Sequence, residues 1–293
     1  RNPRVLCLHG TGSSEKIFKA QAQKLFKAGE KQNVEFIVIE GQQTCKHAEA
    51  LEILEKFFPP SMPKKQYAEF ALDQRNWRTY TKLQETLKWL QKEVRANEPI
   101  DGVLGFSQGA NFAVMLTAQA SAGVGVPLSF VCLLSPNPPG YVDQLPDLFK
   151  GQLQVPALIV RGEKEKYDDG IKKMLKGERV ERQGEKIPSQ HVAKLFSDVE
   201  TLLHSGGHTV LPNTDVAETE DVINKVISFV TEKSLQTHKS NMSSVPSPED
   251  AELVQHAADK ETAKGAAEDK ERQEAQDASR KEAEEKAKQE VEK

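Results

Sequence analysis

The chain has 293 residues, of which 29% are charged, 37% hydrophobic and 6% aromatic, with a formal net charge of −4. That length suits one large domain or two small ones, and the acidic balance gives no support to a general nucleic-acid or anionic-membrane surface. No run of about 18 apolar residues offers a membrane span, and the opening RNPRVLCLHG lacks the apolar core and cleavage site of a secretory signal. The first residue is Arg1 and not Met, so the sequence is expected to begin inside a longer or processed chain.

In chain order, Arg4–Leu8 (RVLCL) is the first strand candidate, followed by the glycine-rich turn His9-Gly10-Thr11-Gly12-Ser13-Ser14. GTGSS has neither the G-x-G-x-x-G register nor a following GK[ST], which argues against a nucleotide loop. A helix is expected over Phe18–Lys27 and a strand over Val34–Ile39. Thr79–Arg95 predicts a helix, because Leu83, Leu87, Leu90 and Val94 recur at i, i+4, i+7 and i+11 and make one apolar stripe. Then come a strand at Asp101–Phe106, a helix at Gln108–Ala122, and strands at Leu128–Leu134 and Pro156–Val160. A helix at Ser189–Phe196, a strand at Glu200–His204 and a helix at Asp215–Glu232 complete the body. The strand candidates are continuously apolar rather than alternating, as strands buried on both faces of a parallel sheet are. Their alternation with helices implies an α/β fold with a doubly wound, mostly parallel sheet.

The composition changes near residue 233, so we expect a body over 1–233 and a linker with a charged tail over 234–293. From Glu249 onward fifteen acidic residues face nine basic ones, with no aromatic residue among them. Such a segment buries no core by itself and is expected to be partly helical or disordered. Its alanines keep no sustained heptad, though a protein partner bound through the tail is an alternative use. The three cysteines, Cys7, Cys45 and Cys132, are odd in number and irregular in spacing. They suggest reduced thiols, and hence a cytoplasmic protein, rather than a disulfide framework or a zinc site.

The chemistry gathers around Gly105-Phe106-Ser107-Gln108-Gly109. This is the G-x-S-x-G pattern of a nucleophile elbow, where a strand turns sharply into a helix and strains the serine backbone. The predicted strand before Ser107 and helix after it supply the context that the pattern needs. A serine hydroxyl needs a base at neutral pH, and elbow hydrolases order their residues Ser, acid, His. Of seven histidines, His208 in Ser205-Gly206-Gly207-His208 follows the last strand candidate on a flexible loop and is the candidate base. His204 sits at the strand end and is expected to point into the sheet or to orient that loop, and His191 to lie at the surface. The backbone N–H groups of Gln108, behind the nucleophile, and of Thr11, after the first strand, are the candidate oxyanion donors.

With these segments in view, the chain resembles the FSH family of serine hydrolases, which includes the ovarian-cancer-associated hydrolase-like proteins. The resemblance is carried by LCLHG, Arg75-Asn76-Trp77, PIDGVLGFSQGA, FVCLLS and HSGGHTVLP, and runs from about Val5 to Thr231. It implies an α/β-hydrolase fold, hydrolysis of carboxylic esters or thioesters, no cofactor, no metal, and a Ser–acid–His triad with Ser107 as nucleophile and His208 as base. A small-molecule acyl ester or thioester is the implied substrate. The departure lies in the acid: Arg161-Gly162-Glu163-Lys164-Glu165 puts Glu165 where the family carries Asp, and a charged insertion follows. Glu165 is the leading candidate, with Asp168 and Asp169 as alternatives in the same loop. If none of the three serves, the chain would be a non-catalytic scaffold that presents its tail to a partner. Phe57, Phe58, Met62, Tyr67 and Phe70, around the Pro-punctuated FFPPSMP, are candidates for an acyl pocket or lid, and equally for plain packing.

Overall fold

The computed structural model describes residues 1–75, 77–165, 188–212 and 215–243. The chain divides into two compact units, Arg1–His238 and Lys239–Lys293. Of the second unit only the helical backbone of its first residues is described.

The first unit begins with strand β1 (Arg4–Leu8), helices α1 (Glu15–Gln21) and α2 (Gln23–Lys31), and strand β2 (Glu35–Ile39). Next come strand β3 (Gln43–Thr44), helix α3 (Ala48–Glu55) and strands β4 (Lys65–Gln66), β5 (Phe70–Leu72) and β6 (Arg78–Tyr80). Helix α4 (Leu83–Ala96), strand β7 (Gly102–Phe106), helix α5 (Gln108–Ser121) and strand β8 (Phe130–Leu134) follow. Strand β9 (Ala157–Gly162), helix α6 (Pro188–Ala193), strand β10 (Val199–His204) and helix α7 (Val216–Ser243), whose residues after His238 belong to the second unit, complete it.

Six strands form one sheet in the order β10-β9-β8-β7-β1-β2, and every neighbouring pair is parallel. Each corresponds to a strand expected from its apolar run. Side chains alternate between two cores. Leu6, Leu8, Val103, Val131 and Ile159 join α4, α5 and α6 on one face. Val5, Cys7, Leu104, Cys132 and Val160 join α1, α2 and α7 on the other. The inner strands β1, β7, β8 and β9 are therefore covered on both sides, which is why they read as unbroken hydrophobic runs, while the edge strand β10 leaves Leu203 exposed. Among the described residues, no helix is long and apolar enough to cross a membrane.

Two expectations shift. The helix read over Phe18–Lys27 is two helices, broken at Ala22. Residues eight apart in a straight helix are separated by about 12 Å along its axis. The break instead lets the Phe18 and Phe26 rings pack edge to face at 6.0 Å. The helix read from Thr79 starts only at Leu83, after Lys82 in the left-handed region at φ 49°. Residues Arg78–Tyr80 are taken instead by an antiparallel ribbon with Phe70–Leu72. A second ribbon pairs Gln43–Thr44 with Lys65–Gln66. Neither ribbon announced itself in the sequence, because strands of two or three residues have no periodicity to read.

Candidate active site

The elbow is strained as its motif requires. Ser107 sits at φ 54°, ψ −114°, between β7 and α5, in a region that L-residues rarely occupy. Its N–H is anchored to the Leu134 carbonyl of the neighbouring strand at 2.9 Å. The flanking glycines are there for space. A Cβ on Gly105 would stand 2.3 Å from the Gly109 carbonyl oxygen, and one on Gly109 would stand 2.1 Å from that of Leu8. Both obstacles are backbone and cannot turn aside. Gln108, the residue behind the nucleophile, is fully buried. Its side chain accepts from the Tyr67 N–H at 2.8 Å and donates to the Ala68 carbonyl at 2.9 Å, tying the elbow to the segment before β5. Its N–H stands at the first position of α5, where helix geometry offers no partner.

The carboxylate and the imidazole come from adjacent loops. After β9 the chain turns through Glu163 and Lys164, whose N–H groups bond the His204 and Gly206 carbonyls at 2.8 and 3.0 Å. Gly162 makes this approach possible, since a Cβ there would lie 2.3 Å from the Gly206 oxygen and 2.4 Å from that of Gly207. Of the two uses open to His204, the loop one is seen: its Nδ1 accepts from the Gly206 N–H at 3.1 Å. Glu218 of α7 holds the same loop, accepting from the Ser205 N–H at 2.6 Å and its hydroxyl at 2.7 Å. His191 is half-buried, its ring 4.9 Å from that of Trp77.

The result is that His208 Nδ1 and Glu165 Oε2 stand 3.7 Å apart, with the Glu165 side chain only 2% exposed and the His208 side chain 38%. Glu165 Oε1 accepts from the Ser135 hydroxyl and from the Gly162 N–H at 3.2 Å. Burial pushes the Glu165 carboxyl up, but the hydrogen bond and charge of His208, with the Ser135 and Gly162 donors, outweigh it and hold the pKa below the usual value. Glu165 is thus a buried, ionised carboxylate facing the imidazole. Asp168 and Asp169 lie outside the described residues. Ser135 was missed as a functional residue. It follows β8 at φ 50°, and its one signal in the sequence was a small polar residue ending an apolar run.

Ser107, His208 and Thr11 line one cavity of about 530 Å³, a size that suits a small-molecule ligand. The Phe106 ring lies 5.1 Å from that of His208. Helix α3 and the turn after it contribute Ile53, Leu54, Phe57 and Phe58, and Phe70 comes from β5. Of the residues proposed as pocket or lid, Phe57, Phe58 and Phe70 do line the cavity. Tyr67 belongs to the core, where its hydroxyl accepts from the His9 N–H at 2.9 Å and donates to the Ile39 carbonyl at 2.6 Å. Met62 is not part of the lining. Among the described residues no cluster of His, Cys, Asp and Glu is arranged to hold a metal.

An all-parallel sheet with helices on both faces, and a serine elbow between a central strand and a buried helix, define the α/β-hydrolase class. Residues 1–220 match the family model described as "Serine hydrolase (FSH1)", and the chain belongs to that family. Bovine Esterase OVCA2 is 28% identical over 221 residues, covering 71% of this chain and 88% of the relative. The human protein of the same name is 27% identical over the same span. Among solved structures, a carboxylesterase from Bacillus cereus superposes with a TM-score of 0.42 at 16% identity, covering 79% of this chain and 89% of that one. The chain is a serine hydrolase enzyme, and the non-catalytic scaffold alternative finds no support.

Proposed function

We propose that the protein cleaves carboxylic esters or thioesters through an acyl-Ser107 intermediate. His208 takes the Ser107 proton as Ser107 Oγ attacks the carbonyl carbon, then returns it to the alcohol or thiol as the carbon–oxygen or carbon–sulfur bond breaks. Glu165 holds the Nδ1–H of His208 and stabilises the imidazolium that forms. The N–H groups of Thr11 and Gln108 receive the oxyanion, and the positive end of α5 adds to that field. Water, activated by the same imidazole, releases the acid. The observation that carries this reading is the buried carboxylate of Glu165, kept ionised against its burial and facing His208 Nδ1 at 3.7 Å. Catalytic hydrogen bonds of this kind are commonly longer without substrate. We further propose a cytoplasmic location, supported by three buried free thiols, and leave a protein partner as the role of the tail.

The test is labelling by a fluorophosphonate probe, which reacts with an activated serine whatever the substrate. Wild-type protein is expected to label and to hydrolyse a p-nitrophenyl ester, and Ser107→Ala to do neither. Full labelling of the Ala variant would rule Ser107 out as nucleophile.

A further inference from the structure

The cavity that opens on Ser107 contains a positive charge that the hydrolytic reaction does not use. Arg78, from β6, lines it. Its guanidinium carbon lies 4.2 Å from the centroid of the Phe70 ring, and one of its N–H groups bonds the Tyr80 hydroxyl oxygen. Tyr80 is buried and is held in turn by the amide of Asn111 at 2.9 Å. Arg78 and Phe70 stand on the two strands of one antiparallel ribbon, so the guanidinium is fixed in place. Yet its Nη1 is buried without a hydrogen-bond partner. Asp73 and Asp143 pair with Arg75 and Glu69 pairs with Lys46, while Glu49 lines the same cavity as Arg78.

A guanidinium cannot shed its proton, so the half-buried Arg78 keeps its charge, and its unpaired Nη1 costs free energy that an acceptor beside the guanidinium would offset. The face of Phe70 satisfies the charge only from above. The N–H groups point outward in the guanidinium plane, in a fork that matches a carboxylate. His47, in the same lining, stacks on Phe70 at 5.0 Å. Burial, and then Arg78, lower its pKa, so it stays uncharged near neutral pH and adds no second cation. Glu49, half-buried in the same lining, repels an anion, which leaves Arg78 as the favourable seat.

We infer that Arg78 binds a free carboxylate on the substrate, which is therefore a half-ester or half-thioester of a dicarboxylic acid, with its acylated carboxyl at Ser107. The inference rests on the hydrolase reading above. The methylene chain of such an acid suits the apolar lining of the same cavity, to which Ile53, Leu54 and Val210 contribute.

The experiment compares two p-nitrophenyl esters on the full chain: the half-ester of adipic acid, and the same compound with its free carboxyl capped as a methyl ester. Wild-type protein is expected to favour the half-ester by about tenfold or more in kcat/KM, the worth of one hydrogen-bonded charge. Arg78→Gln should lose about that factor on the half-ester and stay within about threefold on the capped compound, with Arg78→Lys between. Equal loss on both substrates, or a wild-type preference for the capped one, overturns the inference while leaving the hydrolase reading intact. If neither ester is cleaved and no probe labels Ser107, the hydrolase reading itself fails. Adipate titrated into Ser107→Ala and into Ser107→Ala/Arg78→Gln by calorimetry then decides the Arg78 site alone. Binding lost with Arg78→Gln supports the site, and equal binding or none overturns it. Should Arg78→Gln fail to fold, the wild-type preference between the two esters still decides.

Discussion

Glu165 faces His208 and Ser135 donates to Glu165, and each side chain can be removed by itself. Glu165→Gln keeps the shape but not the charge, and is expected to lower kcat by about 10⁴, as loss of the triad acid does elsewhere. Asp168→Asn and Asp169→Asn should stay within about tenfold of wild type, measured as kcat/KM on one activated ester. A silent Asp168→Asn beside an active Glu165→Gln would mean that the acid is Asp168. Ser135→Ala removes a donor to a charged acceptor, worth about tenfold in kcat with KM unchanged. Because that donor lowers the Glu165 pKa, its loss should also move the acid limb of the pH–kcat profile upward, a shift that mere loosening would not cause. A different histidine sets stability. His9 is fully buried; its Nε2 accepts from the Gly41 N–H at 2.9 Å, and its Nδ1 therefore carries the hydrogen that meets the Gly10 carbonyl at 2.8 Å. Burial lowers its pKa to about 4, against about 6.5 unfolded. Between those values the unfolded chain binds more protons than the folded one. Stability should therefore fall as pH drops from about 6.5 to about 4, by up to roughly 3 kcal/mol. Urea midpoints across that window would show it, and His9→Gln should flatten the slope.

At the scale of elements, the site depends on how closely the turn after β9 approaches the loop after β10. Gly162 is the contact point. Gly162→Ala would push a Cβ against two backbone carbonyls within 2.4 Å, at a cost of roughly 1–3 kcal/mol. The larger effect should be catalytic, because displacing a catalytic group by about 1 Å can cost about 100-fold. Gly151→Ala is the control, since a Cβ there meets nothing within 4 Å, and its melting temperature and kcat should match wild type. Both ends of this contact were legible as single motifs, RGEKE and SGGH. Their meeting was not, because it follows from β9 and β10 being parallel neighbours in register from Val199↔Ala157 to His204↔Gly162.

For the whole molecule, the tail offers a direct test of where the folding unit ends. The composition break lies near Lys233, but Ser234 is buried and the first compact unit runs to His238. Removing Lys239–Lys293 should leave the melting temperature within about 2 °C and kcat/KM unchanged, since an acidic segment without aromatic residues contributes little core; a large drop in either would show that the tail packs on the body. By itself the sequence determined what neighbouring residues can write. Six continuous apolar runs are strands whichever partner they find. A serine between two glycines, with a strand before it and a helix after, is an elbow because the steric demand is local. The tertiary structure decided what depends on distant residues meeting. Ser135, Glu165 and His208 come from the ends of three adjacent strands, and only their order in the sheet brings a hydroxyl, a carboxylate and an imidazole to one point. Arg78 reaches the cavity because a ribbon too short to show a period turns it there, and Glu165 faces His208 because of where the turn after β9 carries it.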